Sequence, residues 1–141
     1  MRAVLWCNGS TPSRIVTDSV VTGDVSLYGV DGGAEKASEC GFDVIEAIGD
    51  LDSLDIEKWR GAVRNLPGQS SSDLAKSIGL LIEWGFEEID VVGVEGGSPD
   101  HLLGNWAALS ESPHGAIIRL HHEEHVTRRL HPEEGGVEME I

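Results

Sequence analysis

The chain has 141 residues, of which 40% are apolar and 25% charged, with a formal net charge of −15. That length and mix suit one globular domain with a buried core and exclude a largely disordered chain. The excess of acid excludes nucleic-acid backbones and anionic membrane surfaces as partners, because both call for a basic face.

No apolar run approaches the ~20 residues of a membrane span, and the opening Met1-Arg2-Ala3-Val4-Leu5-Trp6-Cys7 is interrupted too soon for a secretory leader. A cytoplasmic protein is therefore expected. Cys7 and Cys40 have no C-x-x-C or Cys/His metal spacing, so both read as small buried thiols rather than a disulfide. Lysine occurs only at Lys36, Lys58 and Lys76. An acidic, lysine-poor surface suits a high-salt interior, where repulsion between carboxylates is screened.

In chain order, residues 3–7 are an apolar run ending in Asn8-Gly9-Ser10-Thr11-Pro12, a strand followed by a loop. Residues 14–21 suit either a strand, by their β-branched content, or a short helix, by their place. Residues 25–30 form a second strand ending in Asp31-Gly32-Gly33. A helix is expected over 34–40, with Gly41 as its C-terminal stop. Residues 43–48 are a third strand, followed by Gly49-Asp50-Leu51-Asp52-Ser53. Apolar residues at 56, 59 and 63 have a helical spacing, which predicts a helix over 55–65. The spacing of Leu74, Ile78, Leu81 and Ile82 predicts another over 73–84. A strand over 88–94 leads into a glycine loop and a helix over 100–109. Residues 116–120 and 126–130 read as a hairpin around 121–125, and the acidic tail over 132–141 has room for one last strand.

Strands alternating with helices predict an α/β fold, a doubly wound, mainly parallel Rossmann-like sheet with helices on both faces and a short C-terminal β-hairpin. We expect a single catalytic domain over 1–141, with a nucleotide-binding core to about residue 113 and the hairpin and tail beyond. In a parallel sheet the loops at the strand carboxyl ends share one edge. That edge collects Asp31, Asp50, Asp52, Asp73 and Asp100, with Lys76 and His101 beside them. Acids massed there repel one another unless a cation sits among them, which favours Mg²⁺ with phosphates. Backbone N–H groups at Gly9, Gly32, Gly33, Gly96 and Gly97, with Asn8, Ser53 and the helix start at Ser72, are candidates to hold a nucleotide. Neither G-x-x-x-x-G-K-[ST] nor G-x-G-x-x-G is present. Taken singly, Asp50 and Asp52 equally suit a polar turn with Asp52 or Ser53 capping a helix, and Asp73 suits a helix N-terminus.

The motifs Asp-Gly-Gly-Ala at 31–34, Gly-Asp-Leu-Asp-Ser-Leu at 49–54, Ser-Asp-Leu-Ala-Lys at 72–76 and Gly-Gly-x-x-Asp-His at 96–101, with Asn105, resemble the thiamine pyrophosphokinases. The resemblance covers about residues 1–130 and implies pyrophosphoryl transfer from ATP to the hydroxyl of thiamine, giving thiamine diphosphate and AMP with Mg²⁺. It also implies a homodimer with active sites at the subunit interface. By the same resemblance Asp50 and Asp52 hold Mg²⁺ and the ATP phosphates. Asp73 and Asp100 complete the metal cluster, one of them orienting or deprotonating the attacking hydroxyl. Lys76 contacts phosphate, Asp31, Gly32 and Gly33 line the nucleotide site, and His101 caps the loop or touches the nucleotide.

The chain departs from the family motifs at Ser70, where they carry an acid, and at Ser98, where they carry an arginine whose bidentate grip serine cannot reproduce. The family continues into a thiamine-binding β-sandwich, near whose expected start this chain ends. Two alternatives stay open: a pyrophosphokinase for another small heterocyclic alcohol such as a pterin, and a nucleotide-binding module without turnover. The run His121-His122-x-x-His125 invites a zinc reading, but neighbouring residues in a hairpin point to opposite faces. Trp6, Trp59, Trp84 and Trp106 read as core or dimer-interface residues.

Overall fold

A computed structural model describes residues 1–49, 59, 61–66, 73–96, 107–109 and 115–129, together with the backbone of residues 137–140. Strand β1 (Arg2–Trp6) leads into helix α1 (Arg14–Val20), β2 (Ser26–Val30), α2 (Gly33–Glu39) and β3 (Glu46–Gly49). Then follow β4 (Ala62–Asn65), α3 (Asp73–Glu83), β5 (Glu88–Val92), β6 (Ile117–His121), β7 (Val126–Arg129) and β8 (Val137–Glu140).

The described strands make one eight-stranded sheet in the order β4-β3-β2-β1-β5-β6-β7-β8. The strands from β4 across to β6 are parallel, and β7 and β8 add antiparallel neighbours at one end. The α/β class and the mainly parallel sheet are as expected. The predicted hairpin is present with His121 opposite Val126, and β8 extends it to a third strand.

Side chains alternate across a strand, so a parallel strand buried on both faces is apolar throughout. In β1, Ala3 and Leu5 face one cluster, with Leu74, Ile78 and Leu81 of α3. Val4 and Trp6 face another, with Val16 and Val20 of α1 and Ala37 of α2. That second cluster explains why 14–20 is a helix despite its β-branched residues. Val16 and Val20, four apart, land together on the sheet, and the Ser13 hydroxyl accepts the Val16 N–H at 3.4 Å as a cap. Gly41 closes α2 and Gly85 follows α3, both in the left-handed region at φ 91° and 95°.

The predicted helix over 55–65 is wrong at its C-terminal end. Residues 62–65 form β4, a parallel edge strand on β3, and all four are exposed. Of the three apolar residues that suggested a helical face, Ile56 lies outside the described residues and the other two have separate reasons to be there. Trp59 is buried against Ala34 and Ala47, with its indole N–H donating to the Ala62 carbonyl at 3.2 Å. Val63 is half exposed on the sheet edge. Residues 55–58 and 60 lie outside the described residues, as does most of the helix expected over 100–109, of which 107–109 are helical. Trp6 is fully buried, Trp84 is at the surface beneath the Arg64 guanidinium, 5.0 Å from its ring centre, and Trp106 lies outside the described residues.

Candidate active site

The carboxyl ends of β1, β2, β3 and β5 bring four loops to one edge, where two linked groups of contacts hold them. The first is built around Gly49. Asp31 follows β2 with φ 49°, a left-handed conformation that Asp adopts more readily than most residues. Its N–H donates to the Ile48 carbonyl at 2.8 Å, and its own carbonyl accepts from Ala34 N–H at 3.2 Å. Its carboxylate then lies against Gly49, so closely that a Cβ there would stand 2.2 Å from Oδ1. Gly49 has φ 138°, so absence of a side chain serves both its backbone and its neighbour. The Gly49 carbonyl accepts the Leu66 N–H at 2.8 Å, the Leu66 carbonyl accepts from Lys76 Nζ at 3.4 Å, and Lys76 lies 3.7 Å from the Asp73 carboxylate. Asp31, Lys76 and Asp73 are thus tied to the residue that precedes Asp50.

The second group joins the β1 and β5 loops. Gly9 N–H donates to the Gly93 carbonyl and Ser10 N–H to the Glu95 carbonyl, both at 2.8 Å. Gly9 and Gly96 both lie in tight contact across this seam, Gly9 on the Gly93 carbonyl and Gly96 on the Ser10 hydroxyl. From α2, Lys36 Nζ donates to the carbonyls of Asn8 at 3.0 Å and Gly9 at 2.7 Å. The groups meet where Gly33 opens α2 directly on the end of β1. A Cβ at Gly33 would lie 1.9 Å from the Trp6 carbonyl oxygen.

Burial, followed by the nearby negative charge of Asp31, pushes the Cys7 thiol up to about 12, which makes it an inert core thiol. Cys7 and Cys40 are both free.

Of the residues expected at the site, the fold brings Asn8, Gly9, Asp31, Gly32, Gly33, Asp73, Lys76 and Gly96 to this edge. Asp50, Asp52, Ser53, Ser72, Gly97, Asp100 and His101 lie outside the described residues. Sequence reasoning passed over Lys36 and Glu95. Lys36 carried a usable signal, a cation in the first turn and a half after Asp-Gly-Gly. Glu95 carried none, since its role depends on a contact with a distant turn. His121 and His122 do point apart, His121 to Asp90 at 2.7 Å and His122 to Glu95 at 2.9 Å. Among the described residues no three His, Cys, Asp or Glu side chains converge to hold a metal, and no helix is long and apolar enough to cross a membrane.

The mainly parallel α/β sheet gathers carboxylates, lysines and glycine-bearing loops at its carboxyl edge, the place where open α/β sheets put their ligands. The family model for the thiamin pyrophosphokinase catalytic domain matches residues 18–119, and the chain belongs to that family. It is 29% identical to the thiamine pyrophosphokinase of Bacillus subtilis (strain 168), an alignment covering 92% of this chain and 65% of that protein.

Solved structures of thiamine pyrophosphokinases share the fold. The Bacillus subtilis structure matches with a TM-score of 0.73 at 22% identity, over 90% of this chain and 63% of that one. The Geobacillus thermodenitrificans structure gives 0.72 at 25%, over 90% and 62%. The yeast structure gives 0.70 at 15%, over 89% and 60%. This chain spans less than two thirds of the length of each of these relatives.

Proposed function

We propose that this chain is an ATP- and Mg²⁺-dependent diphosphotransferase of the thiamine pyrophosphokinase type, acting in the cytoplasm as a homodimer. The observation that carries the reading is the family match over residues 18–119. The four strand-end loops gathered on one edge support it. On this reading residues 1–141 are one catalytic domain, doubly wound in the Rossmann manner, with the nucleotide across the carboxyl edge.

The reaction joins the acceptor's hydroxyl oxygen to the β-phosphorus of ATP. The bond from that phosphorus to the α–β bridging oxygen breaks, leaving thiamine diphosphate and AMP. Chemistry of this kind needs positioning and charge neutralisation more than special groups. The hydroxyl proton passes to Asp73 or Asp100, whichever orients the acceptor. Lys76 holds phosphate oxygens, helped by N–H groups of the glycine loops other than that of Gly9, which the Gly93 carbonyl already takes. Asp31, Gly32 and Gly33 line the nucleotide, with Asn8, Gly9, Ser53, Ser72, Gly96, Gly97 and His101 around it.

The carboxylate of Asp73, with those of Asp50, Asp52 and Asp100, is the hard oxygen donor set that Mg²⁺ takes. Mg²⁺ held there would supply neutralisation of phosphate charge.

The direct test is to incubate the protein with ATP, Mg²⁺ and thiamine and follow AMP. Thiamine-dependent AMP is expected, and its absence would sink the reading. A pterin alcohol as acceptor tests the substitute substrate. Asp52→Asn is expected to abolish AMP formation while leaving the melting temperature close to that of the parent; surviving turnover would remove Asp52 from the metal set. Ser98, standing where the family motif has an arginine, favours a second reading, a nucleotide-binding module without turnover. ATP binding without AMP from either acceptor would establish it.

A further inference from the structure

The β6–β7 turn takes no part in the reaction described above, yet it grips the active edge. Its His122 side chain is only 7% exposed, with Nδ1 2.9 Å from a Glu95 carboxylate oxygen and Nε2 3.1 Å from the Thr127 hydroxyl. The carboxylate accepts, so a neutral ring carries its proton on Nδ1 and leaves Nε2 to accept from the buried Thr127. Burial first, then the stacked His125 ring 4.1 Å away, hold the His122 imidazole below its ordinary value, which keeps it neutral. The turn is closed by His122 N–H donating to the His125 carbonyl at 2.9 Å. Its Glu123 carboxylate accepts the Ser13 N–H at 3.0 Å, so the turn also holds the cap of α1.

Glu95 is the residue through which this grip reaches the site. Its backbone carbonyl accepts Ser10 N–H, and its neighbour Gly96 rests on the Ser10 hydroxyl. It also leads directly into Gly-Gly-Ser-Pro-Asp-His at 96–101. We propose that His122 is a positioning residue: through its Nδ1–H bond to Glu95 it fixes the seam between the β1 and β5 loops, and with it the entry to the 96–101 motif. The ring touches no reacting group. It acts by holding a loop in register, the way a neighbouring hydrogen bond orients a ligand-bearing side chain.

The functional half of the test rests on the proposed pyrophosphokinase reading. Releasing the loop should weaken substrate binding more than it slows the chemical step. His122→Ala is therefore expected to raise the KM for ATP about tenfold with kcat within about twofold. His122→Asn places an amide N–H near the position of Nδ1 and should restore KM to within about twofold. His122→Gln reaches towards Thr127 instead and should not restore it. Glu95→Ala should match His122→Ala, and the double variant should be no worse than either single one, since both remove one contact. Failure of His122→Asn to rescue in a protein that melts normally, or additive single effects, would overturn the proposal.

Hydrogen exchange gives a readout that needs no turnover. The Gly9 and Ser10 amides should exchange about tenfold faster in His122→Ala and Glu95→Ala and at the parent rate in His122→Asn. Unchanged exchange in both alanine variants would overturn the clasp. A parent protein that makes no AMP, yet shows this exchange pattern, would overturn only the reading of the reaction.

Discussion

Asp90 is 1% exposed in the middle of β5, and two arginines and a histidine converge on its carboxylate. Arg2 of β1 reaches it at 3.0 Å, and Arg119 and His121 of β6 at 3.3 Å and 2.7 Å. Burial pushes the Asp90 carboxyl up, but the His121 hydrogen bond and the charges of His121, Arg119 and Arg2 outweigh it and hold the group below its usual value. A carboxylate depressed in the folded state contributes stability that is present above about pH 4 and lost as pH falls through the lowered value. Asp90→Asn should therefore lose about 3 kcal/mol near neutral pH, because Arg2 loses its buried counter-charge and Arg119 keeps only Glu88, at 2.6 Å. The gap to the parent should close as the pH is taken below the usual carboxylate range. Urea unfolding at several pH values measures this, and a gap of constant size would rule out the electrostatic account. Nothing local in Glu-Ile-Asp-Val-Val at 88–92 announces it. An aspartate inside an apolar strand reads as a flaw until the partners from β1 and β6 are known.

The seating of α2 shows what element packing adds. Its first residue, Gly33, abuts the Trp6 carbonyl, and Gly29 in β2 lies beneath Ala34, where a Cβ would come within 2.3 Å of the Ala34 Cα. Two glycines thus let a helix lie on the sheet at close range and aim its N-terminus over the end of β1. Gly33→Ala would drive α2 off β1, and we expect it to lose about 2 kcal/mol or more. The same shift would move Lys36 off the Asn8 and Gly9 carbonyls. A melting curve checks the stability. Wild-type stability in Gly33→Ala would mean that the α2–β1 contact is softer than its geometry implies.

Elements with a strong local signal were legible from the chain itself. The amphipathic run of α3, the stop at Gly85 and the β6–β7 hairpin all declare themselves through spacing and turn residues. The misread element is β4. Its four exposed residues have neither an apolar alternation nor a buried face, and they are a strand only because the β3 edge offers backbone partners. Pairing of that kind is non-local and leaves no period in the sequence.

At the scale of the whole molecule the charge of −15 is the dominant electrostatic fact. Part of that charge lies on the edge that gathers Asp31, Asp73 and, as proposed, Asp50, Asp52 and Asp100. Repulsion among carboxylates opposes the compact state and weakens as salt shortens the screening length. The melting temperature should therefore rise as KCl is raised from about 0.1 M to about 2 M. A flat or falling profile would show that local pairs, such as those at Asp90, already balance the field.

The α/β class, the order of most elements and the placing of Asn8, Gly9, Asp31, Asp73 and Lys76 at the carboxyl edge could be read from the chain alone. Those follow from hydrophobic period, turn chemistry and motif order, all of which are local. Which of those residues meet is fixed by the folded arrangement. Asp31 lies against Gly49, Lys36 binds the β1 loop, and His122 reaches Glu95 from a turn 27 positions away. Contacts of that range are set by which strands become neighbours in the sheet, and strand order is a property of the folded chain that no short stretch of residues encodes.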